Sequence, residues 1–311
     1  MIPLSPDEIA WAAQIACLLE VNAWKPGNVS RFQDFPECCF EDFLVSAVAI
    51  GPAFLEAAHK PVGATILRAV RDTHRLVDTN TNLGIVLLLA PLAKAAGMGN
   101  SNGLRAAVIR VLADLTVEDA CGAYEAIRLA APAGLDRVER CDVYDSKIDF
   151  TLREAMKLAQ DRDSVAREYV TGFDLTFELG YATLRRLCEK GCKAPESVVQ
   201  TFLTILAQVP DSLISRKNDL ATARHVSELA KRVVDSGGVF SEGGRKELHK
   251  LNHILRDEQH RLNPGTTADL VAASLFVFLV DGGVQDHLRD LIRPPRNCVS
   301  DALVSPVNLF G

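Results

Sequence analysis

The chain has 311 residues, 48% of them hydrophobic and 6% aromatic, with a net charge of −6 and a pI near 5.7. That acidic balance argues against a general nucleic-acid binder, and leaves room for a phosphorylated small molecule held by a local cluster of cations. The longest apolar runs, near 83–93 and 270–280, fall short of the ~18 residues a membrane span needs, so no membrane role is expected.

The first helix is announced by "SPDEIAWAAQIACLLEV", with Ser5 as N-cap, Pro6 at the first helical position and Glu8 completing a capping box. It ends before Pro26 and Gly27. Helical periodicity then predicts segments near 40–58, 62–77, 82–96, 102–113, 116–131, 150–160, 163–171, 173–190, 195–208, 211–235, 242–262 and 266–280. "TVED" at 116–119 resembles a capping box, and Gly97, Gly191 and Gly237 fall where helices should stop. Ala and Leu dominate, alternating strand patterns are missing, and no linker or repeat divides the chain. The expected fold is all-α: a single multi-helix domain of about twelve helices over residues 1–293, with an irregular tail at 294–311.

Eight cysteines form no C-x-x-C pair; Cys38 and Cys39 are adjacent, and Cys188 and Cys192 are four apart. They read as reduced packing thiols. The start "MIPLSPDEIA" lacks a basic region followed by an apolar one, so a cytoplasmic location is expected. His249, His253 and His260 fall on nearly one helical stripe, but the flanking Lys250, Arg256 and Arg261 make it read as a solvated face rather than a zinc site.

Four polar islands interrupt the apolar helices: "KPGNVSRFQDF" (25–35), "DTNTNLG" (78–84), "PDSLISRKND" (210–219) and "NPGTTADL" (263–270). A fifth, "CDVYDSKIDF" (141–150), is weaker. Each is an ordinary helix start when taken alone. Together they offer helix N-termini suited to phosphate oxygens. Lys25, Arg31, Arg216 and Lys217 are the cations beside them, and Asp34, Asp211 and Asp269 are carboxylates fit for a metal or for acid–base work.

In this order the islands resemble the triphosphoribosyl-dephospho-CoA synthase family. The matching segments are Lys25-Pro26-Gly27-Asn28-Val29, Asn80-Thr81-Asn82-Leu83-Gly84, Asp211-Ser212-Leu213-Ile214-Ser215-Arg216, and Asn263-Pro264-Gly265-Thr266-Thr267-Ala268-Asp269-Leu270-Val271-Ala272. The resemblance implies an all-helical transferase that moves the 5-triphosphoribosyl group of ATP to a hydroxyl of 3′-dephospho-CoA and releases adenine. Its partners would be small molecules only, with a homodimer left open. Mg²⁺ is expected with ATP, on Asp211 and Asp269, and Asp34, Asp269 and Asp211 are the catalytic candidates. Lys25, Gly27, Asn28, Ser30, Arg31, Asn80, Thr81, Asn82, Gly84, Ser212, Arg216, Lys217, Gly265, Thr266 and Thr267 would hold phosphates or ribose. The chain departs from the family pattern in four places. Asn82-Leu83 stand where the family has His-Lys, Ser30 replaces an aspartate, Gly265-Thr266-Thr267 replace Gly-Gly-Ser, and Gln33-Asp34-Phe35 only approximate an H-x-D-M segment. These departures keep three other readings open: the same α-ribosyl transfer to a tetrahydromethanopterin precursor, an N-glycoside hydrolase, and a non-catalytic nucleotide-binding protein.

Overall fold

The computed structural model describes residues 2–99, 101–134, 137–145, 147–257 and 259–292. The expected tail at 294–311 lies outside the described residues. Helices run in chain order as α1 (Pro6–Asn22), α2 (Phe40–Ala49), α3 (Gly51–Leu55), α4 (Val62–His74), α5 (Leu83–Met98), α6 (Leu104–Ala113), α7 (Val117–Ala130), α8 (Leu152–Ala159) and α9 (Ser164–Thr171). A π-helical stretch, Leu175–Tyr181, leads into α10 (Ala182–Glu189), followed by α11 (Ala194–Gln208), α12 (Ser212–Lys217), α13 (Leu220–Asp235), a short 3₁₀ turn, α14 (Glu242–Leu255), α15 (Gly265–Asp281) and α16 (Val284–Ile292). The only β pairings among the described residues are isolated bridges, Ser30 with Gln33 and Phe35 with Cys38.

The all-α expectation holds, and the differences lie in where long segments break. The 40–58 run divides at Ile50, because Pro52 cannot donate to the preceding turn and a new helix starts there. The 211–235 run divides at Asn218, where Asp219 opens α13 by accepting from the Thr222 amide. The 173–190 run begins as a π-helix whose first amides, Leu175 and Thr176, donate to the buried Glu168 carboxyl. The 242–262 run stops at Leu255, where Arg256 leaves helical geometry.

Two helices form the centre. Every residue of α15 from Thr266 to Val280 is buried except Asp269, and α5 is buried along nearly its whole length. α15 packs against α1, α5, α11 and the π-helical stretch. No single helix among the described residues is long and apolar enough to cross a membrane. α5 carries a proline inside, Pro91, which cannot donate to the Leu87 carbonyl four residues earlier. The fully buried Tyr169 hydroxyl donates to that same carbonyl at 2.6 Å. A side chain from α9 therefore replaces the missing rung, so the proline sits mid-helix without leaving a buried acceptor unpaired.

Tyr169→Phe keeps the ring and removes this donor. Urea unfolding should show a loss of about 1–3 kcal/mol, the cost of a buried unpaired carbonyl. A second substitution, Pro91→Ala, restores the backbone donor and should recover most of that loss; additive effects of the two would contradict the assignment.

Candidate active site at the N-terminus of α15

All four sequence islands meet around the first turns of α15. Gly27, at φ 75°, lies so close to Leu255 and Pro264 that a Cβ would come within 2.8 Å of the first and 3.1 Å of the second. Its amide donates to Asn252 Oδ1 at 3.0 Å. Thus "KPG" is seated on "NPG". Gly84, at the start of α5, faces Asp269: a Cβ there would fall 2.1 Å from Asp269 Oδ2. The third island joins through Asp211, whose Oδ1 accepts from the Leu213 and Ile214 amides while Oδ2 accepts from both the amide and the hydroxyl of Thr267 at 2.7 Å. Ser212 Oγ donates to Thr266 Oγ1 at 3.1 Å and accepts from the Ser164 amide at 3.3 Å. Gly265 leaves room for the Leu213 side chain, which a Cβ would meet at 2.6 Å.

Several of the expected ligand groups turn inward instead. The Lys25 ammonium is fully buried; it pairs with Glu20 Oε1 at 2.9 Å and donates to the carbonyls of Glu20 and Ala23. It neutralises the end of α1 rather than facing a phosphate. Asp211 carries four donors, the full capacity of a carboxylate, so the expected metal ligand is a clamp between α12 and α15. Thr266 and Thr267 point into the same clamp. In "DTNTNLG", Asn80 Oδ1 caps the Leu83 amide at 3.1 Å, Thr81 pairs with Ser46 at 2.6 Å, and Asn82 donates to Thr73 at 3.1 Å. This island stitches α5 to α2 and α4, and its Gly84 is the residue that meets Asp269. Asn28 and Ser30 are buried in the 25–39 loop, Arg31 is exposed above the Phe40 ring, and Asp34 is exposed with Oδ1 capping the Phe40 amide at 2.8 Å. The fifth island forms a local turn in which Asp142 accepts from the Val138 and Tyr144 amides.

Asp269 differs from every other carboxylate here. It makes no hydrogen bond or ion pair among the described residues. It is half-buried, set into the junction of the four segments with Gly84 against its carboxyl. Burial, then the nearby charges of Glu20, Asp211 and Asp163, pushes it well above the usual carboxylate range; Arg216 opposes them. Arg216 itself pairs with Asp163, the N-cap of α9, at 2.7 Å.

Sequence reasoning missed Glu20, Asp163 and Arg256. Glu20 was findable: it continues the buried face Ala12–Ala13–Ala16 of α1 at helical spacing, and a carboxylate on such a face needs a cation, which Lys25 supplies. Arg256 carries no local signal; its guanidinium donates to the carbonyls of Asn28 and Asp34, more than two hundred residues away in sequence. Of the three histidines, His249 and His253 are exposed, but His260 is part-buried and stacked on Phe35 at 4.1 Å. Among the described residues no group of three or more His, Cys, Asp or Glu side chains could hold a metal.

A model of the CitG family, described as ATP:dephospho-CoA triphosphoribosyl transferase, matches residues 6–287. The chain belongs to this family. A solved chain from Archaeoglobus fulgidus, described as a triphosphoribosyl-dephospho-CoA synthase, is 30% identical with a TM-score of 0.61, over 77% of this chain and 99% of that one. A 2-(5″-triphosphoribosyl)-3′-dephosphocoenzyme-A synthase of Klebsiella pneumoniae is 24% identical over 301 residues, 90% of this chain and 93% of that protein. A protein of Malonomonas rubra named for the same activity is 23% identical over 304 residues, 90% of each chain. The CitG-family fold is thus a helical one, and this chain is an enzyme of the transferase class.

The two central aspartates should respond oppositely to amidation. Asp211→Asn sets an amide NH₂ against backbone donors and should lower stability by about 1–3 kcal/mol. Asp269→Asn removes no hydrogen bond. Because the folded state holds the Asp269 proton to higher pH than the unfolded chain does, wild-type stability falls as pH rises from about 3.8 through the raised folded value. In Asp269→Asn that decline should be smaller. Urea titrations across pH test both; equal losses in the two variants would contradict the division of roles.

Proposed function

We propose that the chain transfers the 5-triphosphoribosyl group of ATP to a hydroxyl of 3′-dephospho-CoA and releases adenine. The observation that carries this reading is the recess at the start of α15, where a single unpartnered carboxyl, Asp269, lies among the four segments that define the resemblance. The printed activities of the family and of the Klebsiella relative supply the substrate class.

The chemistry breaks the bond from ribose C1 to the adenine nitrogen and forms one from C1 to the acceptor oxygen. Adenine leaves more easily when a proton reaches it, and the acceptor hydroxyl must lose one. A carboxyl pushed by burial toward its protonated form is suited to the first task, and Asp269 is the one so placed. The carboxylates that act on it are engaged: Glu20 by Lys25, Asp163 by Arg216, and Asp211 by its four donors. Asp34, at the rim of the 25–39 loop, is therefore the remaining candidate for the base. Departure of adenine and entry of the acceptor on opposite faces gives an inverting displacement, which converts a β-nucleotide to an α-linked product.

Mg²⁺ belongs here with the substrate. A triphosphate-bound ion takes most of its ligands from phosphate and water and only one or two carboxylates from protein. The pair Asp211 and Asp269 does not fit as its protein ligand set, since Asp211 has no free lone-pair position and Asp269 is held toward its neutral form. Arg216 and Lys217, at the end of α12, are the cations near this recess.

Incubation with ATP, Mg²⁺ and 3′-dephospho-CoA should yield free adenine and a product heavier by the triphosphoribosyl group, read by mass spectrometry. Asp269→Asn should lower the rate by about 10²–10⁴-fold with the fold intact. Adenine release without acceptor, giving free ribose triphosphate, would instead make the chain a hydrolase.

A further inference from the structure

A cationic corner borders the Asp269 recess, where the 25–39 loop, the turn after α14 and the end of α12 meet. Arg256 lies over the Phe35 ring, 5.1 Å from its centroid, and His260 stacks on the same ring at 4.1 Å. Lys217 Nζ donates to the His260 carbonyl at 3.3 Å. Arg216, the residue before Lys217, acts electrostatically on Asp269.

These cations are under-partnered. Arg256 and Lys217 are each part-buried, and their polar contacts among the described residues are backbone carbonyls, with no ion pair. Burial accordingly pulls the Lys217 ammonium down and the Arg256 guanidinium down to about 10. Glu37, which is exposed, and Asp257 act on Lys217 from a distance without pairing with it; the Asp257 carboxylate is occupied by the Arg261 and Leu262 amides, and Asp34 Oδ1 by the Phe40 amide. Buried side-chain atoms without a partner concentrate here: Nε of Arg216, Nε of Arg256, Nδ1 of His260 and Oδ1 of Asn263. The others among the described residues are hydroxyls of Thr176, Ser197, Thr201 and Ser227. His260 is also held at φ 49°, an uncommon backbone conformation for a residue with a side chain. Removing cations from water without an anionic partner is unfavourable, and buried polar groups are normally paired. A ligand with several negative oxygens would accept from the guanidinium, ammonium and imidazole N–H groups at once, though not from the Asn263 oxygen, which is itself an acceptor.

We propose that Lys217, Arg256 and His260 seat the distal phosphates of a linear polyphosphate, with Arg216 directing the chain toward Asp269. Phe35 is the platform that aligns the guanidinium and the imidazole. The inference rests on the triphosphoribosyl reading above only in naming which polyphosphate is bound; the seat itself is a claim about two cationic side chains, an imidazole and a phosphate chain. It departs from the sequence reading by taking His260 off the solvated face and by adding Arg256, which the motif segments do not contain.

Inorganic tripolyphosphate is the probe, titrated by calorimetry into the full-length chain. Wild type should bind it. Lys217→Gln and Arg256→Gln should each weaken binding about tenfold or more, and His260→Gln several-fold. Arg256 also ties down the 25–39 loop, so the Lys217 variant, whose thermal midpoint should stay near wild type, is the decisive one. No binding by wild type, or affinities within twofold across the Lys217 and Arg256 variants, overturns the seat. If wild type forms no transfer product while tripolyphosphate affinity still falls in both variants, the seat stands and the proposed reaction fails. If product forms and the affinities do not change, the reaction stands and the seat fails.

Discussion

The arrangement depends on one carboxylate whose acceptor positions are all taken by the protein itself. Asp211 caps α12 with one oxygen and grips the first turn of α15 with the other, through the amide and hydroxyl of Thr267. This fixes the rotation and height of α15 relative to α12. Asp269 is two residues further along the same helix, so its position follows from the grip at Thr267. Gly84 and Gly27 then allow two other segments to close on the same helix end, because neither presents a side chain where the backbones approach. Four sequence-distant segments are organised around one helix terminus in this way.

The electrostatics follow from that geometry. Three carboxylates influence Asp269, and each has its own partner: an ammonium, a guanidinium, or a set of backbone and hydroxyl donors. Asp269, without such a partner, is pushed toward its protonated form by burial and by these neighbours. The corner formed by Lys217, Arg256 and His260 shows the opposite imbalance, with N–H donors that make no ion pair among the described residues. A carboxyl pushed toward its neutral form beside cations that lack an ion pair is the pattern a ribose with a polyphosphate tail would complete.

Much of the helical framework was legible in the sequence. Ser5 and Thr116 announce α1 and α7 through their capping boxes, and the apolar runs after Asn82 and after Thr267 mark the two central helices. Breaks within long runs were harder to read, since Asp219 and Pro52 are tolerated near helix starts and do not by themselves show that one helix has become two. The site was legible as a set of segments but not as a set of roles. Lys25, Thr266, Thr267 and Asp211 look like ligand groups in sequence, and their contacts show them engaged by the protein. Arg256 could not be found, because what makes it notable is its burial against carbonyls from a loop at the other end of the chain. A second basic feature, a cavity of about 500 Å³ lined by Arg71, His74, Arg75, Glu125, Arg128 and Leu129, is explained by structure alone: these cations sit at the C-terminal ends of α4 and α7, where they complement the helix dipoles.

The most direct test is a crystal structure of Asp269→Asn soaked with Mg²⁺ and ATP, in which turnover is slowed and the nucleotide can be seen. The ribose C1 should lie beside residue 269, with the phosphate chain running past Arg216 to Lys217 and Arg256. A nucleotide found instead in the basic cavity between the ends of α4 and α7, with the recess at the start of α15 holding only water, would contradict this placement.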